Sequence, residues 1–416
     1  MLSKFKLLAA IGFALLLSQI WRQAEGQVHN GLSSRPHVRM SNSKNFGLVV
    51  DCQIKGKCSS GVLFGQPFLG TYAYAYAPAI VFDAAGTTHY FFCSSGDGIG
   101  VDAIRYVSVK AGTGPLATDT PTVVVRAAPT KTATGATIDE AACDPAVVRY
   151  KGPSDSRLYY YLYYTSVVVR PGYKSCGEAS RDGMKPCKDV IQVARSERIN
   201  GPYLVLKKNG VWGAPGVVTK IILESFGSNW GLGVAQQSVM IVNGKLVMFY
   251  SDDTDAPRNP ARPWYMIESN NPVNWDKAKA RKLQLPIPVD PYDKYLNSGD
   301  FKYDPLRHQF VLVSTAPSLG RAPKKTFLQI SSSADGIRWN PWKIAIPPPR
   351  FPNYAHNPGT LSDDRGWIVR RAGEFSFAFA ANPNLSSYDT WCPPKPRSGC
   401  RVWSLYQVNV SDDVEP

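Results

Sequence analysis

Two aspartates that open short apolar segments are the residues in this sequence best placed to do chemistry. Asp144 heads Asp144-Pro145-Ala146-Val147-Val148, and Asp300 heads Asp300-Phe301-Lys302-Tyr303. Two carboxyl groups at one site can share the work of cleaving a bond, one protonated to assist a leaving oxygen and the other ionised as base or nucleophile. Asp97, in Ser94-Ser95-Gly96-Asp97-Gly98, and Asp252, in Tyr250-Ser251-Asp252-Asp253, follow aromatic-rich segments and are weaker candidates. Gln236 and the pair His356-Asn357 open two further segments and offer amide and imidazole hydrogen bonds. Tyr76 and Trp230 stand just before such openings, with rings able to stack on the C–H faces of a ligand. Asp304, Asp335 and Asp364 sit at turn positions where Asp bonds its own backbone, so they are read as structural. There is no CxxC or HxxxH spacing and only five His, so no metal site of the zinc type is expected.

These positions need a scaffold that brings distant segments together, and an internal repeat supplies one. Five times the chain repeats an apolar opening strand, a turn, an aromatic-rich second strand and a third strand. The copies begin at Ala77, Asp144, Gln236, Asp300 and Asn357. Copy three contains Asn243-Gly244, a strong two-residue hairpin signal. Units of this kind cannot bury both faces alone; arranged radially, each packs against two neighbours. The expectation is an all-β, five-bladed β-propeller over residues 70–416, a single domain with the opening strands innermost. A large β-sandwich is the alternative, but it does not need a shared opening in each unit.

The chain has 416 residues, with 44% hydrophobic and 19% charged, a balance that excludes disorder and coiled coil. Lys4 and Lys6 precede the apolar run Leu7 to Trp21, and Ala24-Glu25-Gly26 follows as a small-residue site. That layout predicts a signal peptide over 1–26, cleaved before Gln27, the alternative being an uncleaved membrane anchor for which the apolar run is short; it implies a secreted or periplasmic protein with no membrane span in the mature chain. Residues 27–69 are read as an N-terminal segment with a Cys52–Cys58 loop. All eight Cys follow the leader, which suits an oxidising compartment. Cys176–Cys187 and Cys392–Cys400 are two more close pairs. Cys93 and Cys143 are left to pair with each other, as a staple between the first and second units, or to stay free. The net charge of +15 becomes 44 basic against 31 acidic residues, +13, once the leader is removed. Much of it sits in loops, at Arg170, Lys174, Arg181, Lys185 and Lys188, at Lys277, Lys279, Arg281 and Lys282, and at Lys324-Lys325 and Arg370-Arg371. Such runs are solvated faces or, alternatively, attract an anionic polymer. A secreted chain with no nucleic-acid motif is not expected to bind nucleic acid.

The second copy, Asp144-Pro145-Ala146-Val147-Val148, then Tyr159 to Thr165, then Ile191-Gln192-Val193-Ala194-Arg195-Ser196 with Gly201-Pro202-Tyr203, resembles a blade of the five-bladed propeller glycoside hydrolases. This is the clan of arabinanases, β-xylosidases, arabinofuranosidases, invertases and levansucrases, and the pattern extends over roughly residues 70 to 410. The resemblance implies an axial funnel holding a polysaccharide or oligosaccharide, with an Asp base opening blade 1, an Asp opening blade 2 that tunes the acid, and a Glu acid at blade 3. Asp144 matches the second of these. Ala77 and Gln236 stand where the other two belong, so this is a divergent member. The resulting reading is a secreted glycan-active propeller, a glycoside hydrolase with Asp144 and Asp300 catalytic. Gln236, His356, Asn357, Trp230, Tyr76, Asp97 and Asp252 are assigned to substrate binding. The alternative is a carbohydrate-binding propeller that has lost the blade 1 and blade 3 carboxylates. No cofactor is expected beyond, by analogy with relatives, an axial calcium or sodium ion. Ser333-Ala334-Asp335-Gly336-Ile337-Arg338-Trp339 partly resembles a sialidase Asp-box, one residue short.

Overall fold

The computed structural model describes residues 62–64, 75–94, 102–110, 121–126, 130–131, 137–169, 187–214, 219–225, 233–252, 263–286, 298–317, 326–346, 355–371, 374–381 and 404–411, all within the compact unit Phe46–Pro416. The expected leader, the Cys52–Cys58 loop, Asp97, Cys176, Trp230, Cys392 and Cys400 lie outside the described residues.

In chain order a short β1 (Val62–Phe64) precedes β2 (Tyr76–Phe82), β3 (Thr87–Ser94), β4 (Ala103–Lys110) and β5 (Thr122–Arg126). The next group is β6 (Thr130–Lys131), β7 (Thr137–Tyr150), β8 (Tyr159–Val169), β9 (Cys187–Ser196), β10 (Leu204–Leu206) and β11 (Trp212–Gly213). Then come β12 (Val234–Val242), β13 (Lys245–Asp252), β14 (Trp264–Ser269), a 3-10 turn (Lys277–Lys279) and β15 (Arg281–Lys282). The chain continues with β16 (Gly299–Asp304), β17 (Gln309–Pro317), β18 (Thr326–Ser333) and β19 (Lys343–Ile346), and ends in β20 (His356–Ser362), β21 (Arg370–Arg371), β22 (Glu374–Ala381) and β23 (Ser404–Ser411). There is no α-helix among the described residues. Aromatic and β-branched residues dominate these strands, as in the β8 run Tyr159 to Val169, which fits a pleated surface buried on both sides. Asn243 and Gly244 both have left-handed φ, 50° and 75°, and close the β12–β13 hairpin as their sequence predicts.

The arrangement is a β-propeller, but its described strands form four hydrogen-bonded sheets, not the five separate blades expected. The difference lies where the ring closes. The opening strands of the first and last copies, β2 and β20, pair in parallel at Ile80 with Leu361 and Val81 with Ser362, which fuses their groups into one nine-stranded sheet. Gly359 permits this approach, because a Cβ there would lie 1.9 Å from the carbonyl oxygen of Pro78. Ser362 Oγ adds a bond to the Ile80 carbonyl at 3.1 Å.

Alternation along the second strands explains the packing. Tyr161 and Tyr163 of β8 join a cluster with Met248, Tyr250 and Trp275 of the third group, while Leu162 and Tyr164 face Phe91 and Tyr106 of the first. Along β13, Phe249 turns the other way and stacks on Phe301 with ring centroids 4.4 Å apart. The sheets of β8 and β13 therefore bury both faces against neighbours, the condition that the repeat imposes. Ser333 to Trp339 makes a compact turn, with Asp335 Oδ1 accepting from the N–H groups of Ile337 and Arg338 and Trp339 buried beside Phe301, so this segment is structural. Asp304 also bonds its own turn, through Leu306 N–H. In the third turn the expected role passes from Asp364 to Asp363, whose Oδ1 accepts from Arg365 and Trp367 N–H groups; Asp364 instead offers its carbonyl to Arg149 N–H.

That third turn also reaches across the other inner strands. Besides Asp364 to Arg149, the Arg365 carbonyl accepts from Ile241 N–H at 2.8 Å and the Tyr303 carbonyl accepts from Ile368 N–H at 2.8 Å. Trp367 Nε1 donates to the Ile241 carbonyl at 2.5 Å. One hairpin thus ties β7, β12 and β16 together at one end of the opening strands, leaving the other end for a site.

Candidate functional site

At that other end, Ala77, Asp144, Gln236, Asp300 and Asn357 line one small axial pocket of about 30 Å³, with Pro78, Pro145, Gln237, Ser238, Ser298, Gly299 and Pro358. The backbone explains how four of the five reach it. Ala77, Asp144, Gln236 and Asn357 have φ of 47°, 47°, 55° and 43°, a left-handed region that non-glycine residues seldom occupy. Each falls in a break of the ladder between an opening strand and its partner: Tyr76 to Ala79, Cys143 to Ala146, Ala235 to Ser238 and His356 to Gly359. These are β-bulges, which re-aim one side chain out of the sheet. Pro78, Pro145 and Pro358 follow three of the bulged residues and lack the N–H that a regular ladder would use.

β16 differs. Its ladder with β17 runs unbroken from Gly299 with Ser314 to Asp304 with Gln309, and Asp300 keeps an ordinary strand conformation. Asp300 is buried, and both its oxygens are engaged. Oδ1 accepts from Lys302 Nζ at 3.0 Å and from Ser238 Oγ at 3.1 Å, and Oδ2 accepts from Thr360 N–H at 2.7 Å. Asp300 therefore ties β16 to β12 and β20 from within the pocket wall.

Asp144 is half-buried, and its Oδ1 accepts from Asn357 Nδ2 at 3.2 Å. Cys143, the residue before it, is bonded to Cys93 across a Cα separation of 4.8 Å, which gives the staple between the first and second units. Cys187 is also disulfide-bonded, with its partner outside the described residues. Cys93, Cys143 and Asp102 form a cluster of metal-ligand atom types, but the disulfide occupies both sulfurs.

The other predicted residues fall around this centre. Gln236 Oε1 and Asn357 Oδ1 are buried without a hydrogen-bond partner. Tyr76 and His356 precede two of the bulges and are not part of the pocket lining; their rings stack with centroids 5.3 Å apart, and Tyr76 Oη bonds His356 Nδ1. Asp252 ends β13 and is buried outside the lining. Burial, together with the charge of Asp252 and neighbouring Tyr265, pushes the Tyr250 phenol above its ordinary value. Sequence reasoning missed Gln237 and Ser298. The signal for Gln237 was its place in the third copy, where the first, second and fifth copies have proline. Two of the loop charges also change role. Arg370 is buried against Asp304, and Lys277 Nζ donates to the Ser225 carbonyl.

An axial calcium or sodium ion would meet oxygen donors only, the Asp144 carboxylate and the unpartnered Gln236 Oε1 and Asn357 Oδ1. That set suits a hard cation.

Among solved structures, the chain is similar to the catalytic domain of a GH62 α-L-arabinofuranosidase from Coprinopsis cinerea, with a TM-score of 0.52 and 14% identity over 85% of this chain and 96% of that one. The fold is that of the glycoside hydrolase propellers. A structure described as a glycoside hydrolase gives 0.51 at 12% identity over 84% of this chain and 90% of that one. An N-acetylgalactosamine deacetylase from F. plautii, solved with blood group B trisaccharide, also gives 0.51 at 12% identity, covering 81% of this chain and 89% of that one. No family model and no curated protein matches the sequence. Identities this low establish the architecture and leave the chemistry to the site. No helix of the described residues is long and apolar enough to cross a membrane.

Proposed function

We propose that this chain is a secreted, glycan-active propeller that hydrolyses glycosidic bonds at the mouth of the axial pocket, with Asp144 as its working carboxylate. The supporting observation is the left-handed bulge at Asp144, which turns a carboxylate out of the ladder towards the pocket and is stabilised by contacts from other sheets. Unfavourable backbone conformations of this kind concentrate where function needs them. Hydrolysis needs a second carboxyl group. Asp300 lines the same pocket, but its oxygens are engaged, so in this reading it shapes the wall. The proton donor is then sought at Asp97 or Asp252. A pocket of about 30 Å³ holds little more than a water or an ion, so a sugar would rest on its mouth with one group inserted. An axial cation, if held by Asp144, Gln236 and Asn357, would supply positive charge beneath that group.

A second reading, glycan binding without cleavage, is favoured by Ala77 and Gln236 at two bulge positions where the resemblance places carboxylates. One experiment separates the two. Wild type and Asp144→Asn are assayed against arabinan, xylan, galactan and N-acetylated oligosaccharides for new reducing ends, for released acetate and for binding. Hydrolysis that falls about 10²- to 10⁴-fold in the variant supports the first reading. Saturable binding with no product supports the second. Acetate release would redirect the assignment to deacetylation, and neither binding nor turnover on any glycan would overturn both readings.

A further inference from the structure

Two amides from two other strands grip Asp144, each at a different part of the residue. Asn357 Nδ2 donates to the carboxylate Oδ1 at 3.2 Å, and Gln237 Nε2 donates to the main-chain carbonyl. Neither orientation is free to reverse, because a carboxylate and a carbonyl offer no hydrogen to an amide oxygen. Both residues are also held at a second atom, Gln237 through its amide oxygen and Asn357 through its backbone. Gln237 Oε1 accepts from Thr165 Oγ1 at 3.0 Å, and the Asn357 N–H donates to Ser298 Oγ at 3.2 Å. Ser298 Oγ lies 3.1 Å from Thr315 Oγ1, so the grip extends to the β16–β17 pair.

The backbone at Asp144 needs such a grip. A left-handed L-residue costs about 1–2 kcal/mol, which a loosely held segment would recover by relaxing. The first, second and fifth copies have proline after the bulged residue, at Pro78, Pro145 and Pro358, and proline has no side-chain amide. The third copy has Gln237 there, and it is this departure that reaches Asp144.

We propose that Gln237 and Asn357 are positioning residues for Asp144, a two-amide clamp that keeps its carboxylate aimed at the pocket. The proposal rests on the reading of Asp144 as the working carboxylate. Asn357→Gly tests it, since glycine tolerates the φ of 43° while losing the amide, and Gln237→Leu, which touches neither the carboxylate nor the oxygens offered to a cation, is tested beside it. Turnover of the glycan cleaved by wild type should fall about 10²-fold with KM little changed, as expected when a reacting group is misplaced. The residual activity of Asp144→Asn should not fall further when Asn357→Gly is added. Unchanged turnover, or an equal loss in both backgrounds, would overturn the clamp. Gln237→Leu provides the same test if Asn357→Gly does not fold. If wild type cleaves nothing, the hydrolase reading fails by itself. The clamp is then decided by chemical unfolding of Asp144→Ala, Asn357→Gly and the double variant: non-additive destabilisation supports it, and additivity refutes it.

Discussion

Asp144 and Asp300 open equivalent repeats and line the same pocket, yet the fold uses them in opposite ways. Asp144 sits on a bulge with left-handed φ, half-buried, with two side-chain amides among its partners. Asp300 sits in an unbroken ladder and is matched to a buried lysine, a hydroxyl and a backbone N–H in the wall. Residue type does not separate them, and neither does the place in the repeat. One extra residue in the opening strand does, because it rotates the side chain out of the sheet. A carboxylate without that rotation must satisfy its charge inside the protein, and it becomes part of the framework.

The contrast predicts a reversal of effects, largest first. Asp300→Asn removes the charge partner of Lys302, whose side chain is 8% exposed, and should destabilise the fold by about 3–5 kcal/mol in urea unfolding. Asp144→Asn should stay within about 1 kcal/mol of wild type in the same measurement, because the Asn357 amide that holds the carboxylate can donate equally to an amide oxygen. Equal destabilisation by the two would remove the distinction. Gly359→Ala would push a Cβ against the Pro78 carbonyl and should cost about 1–3 kcal/mol, with loss of protection at the β2–β20 pairing in hydrogen exchange.

A second framework aspartate gives a pH test. Burial opposes ionisation of Asp304, but the hydrogen bonds and charge of Arg370, with the Leu306 and Arg307 N–H groups, outweigh it and hold the carboxyl below its ordinary value. A lowered folded-state value contributes stability that is present above the unfolded value of about 3.9 and is lost as pH falls through the folded one. Arg370→Leu should therefore lower the urea midpoint at pH 7 and flatten its decline below about pH 4. The smallest effect is expected at the bulge whose side chain is only a methyl group. Ala77→Gly relieves a left-handed φ of 47° and should stabilise by up to about 1 kcal/mol in thermal unfolding, whereas a loss there would mean that the methyl group packs usefully.

Much of this was legible in the sequence. The strands lie where aromatic and β-branched runs stand between turn residues, and Asn243-Gly244 makes the predicted hairpin. Cys93 and Cys143, left over from three close pairs to bond each other or stay free, form the disulfide. The convergence of Ala77, Asp144, Gln236, Asp300 and Asn357 on one pocket followed from their shared place at the head of each copy. The number of separate sheets did not, because the fusion of β2 with β20 depends on an approach between residues far apart in the chain, permitted by a missing Cβ at Gly359. The stacking of Tyr76 on His356 was not legible, because it pairs residues from the first and last copies. Arg370 looked like one more loop charge until Asp304 was found against it.

By itself, then, the amino-acid order determined the repeating unit, its radial packing and the set of residues that meet at the axis, since hydrophobic period and turn chemistry are local properties. Only the tertiary structure decided which carboxylate faces the pocket and which is built into its wall. That choice depends on a bulge in one ladder and on partners contributed by other sheets, and neither can be read from the residues on either side of an aspartate.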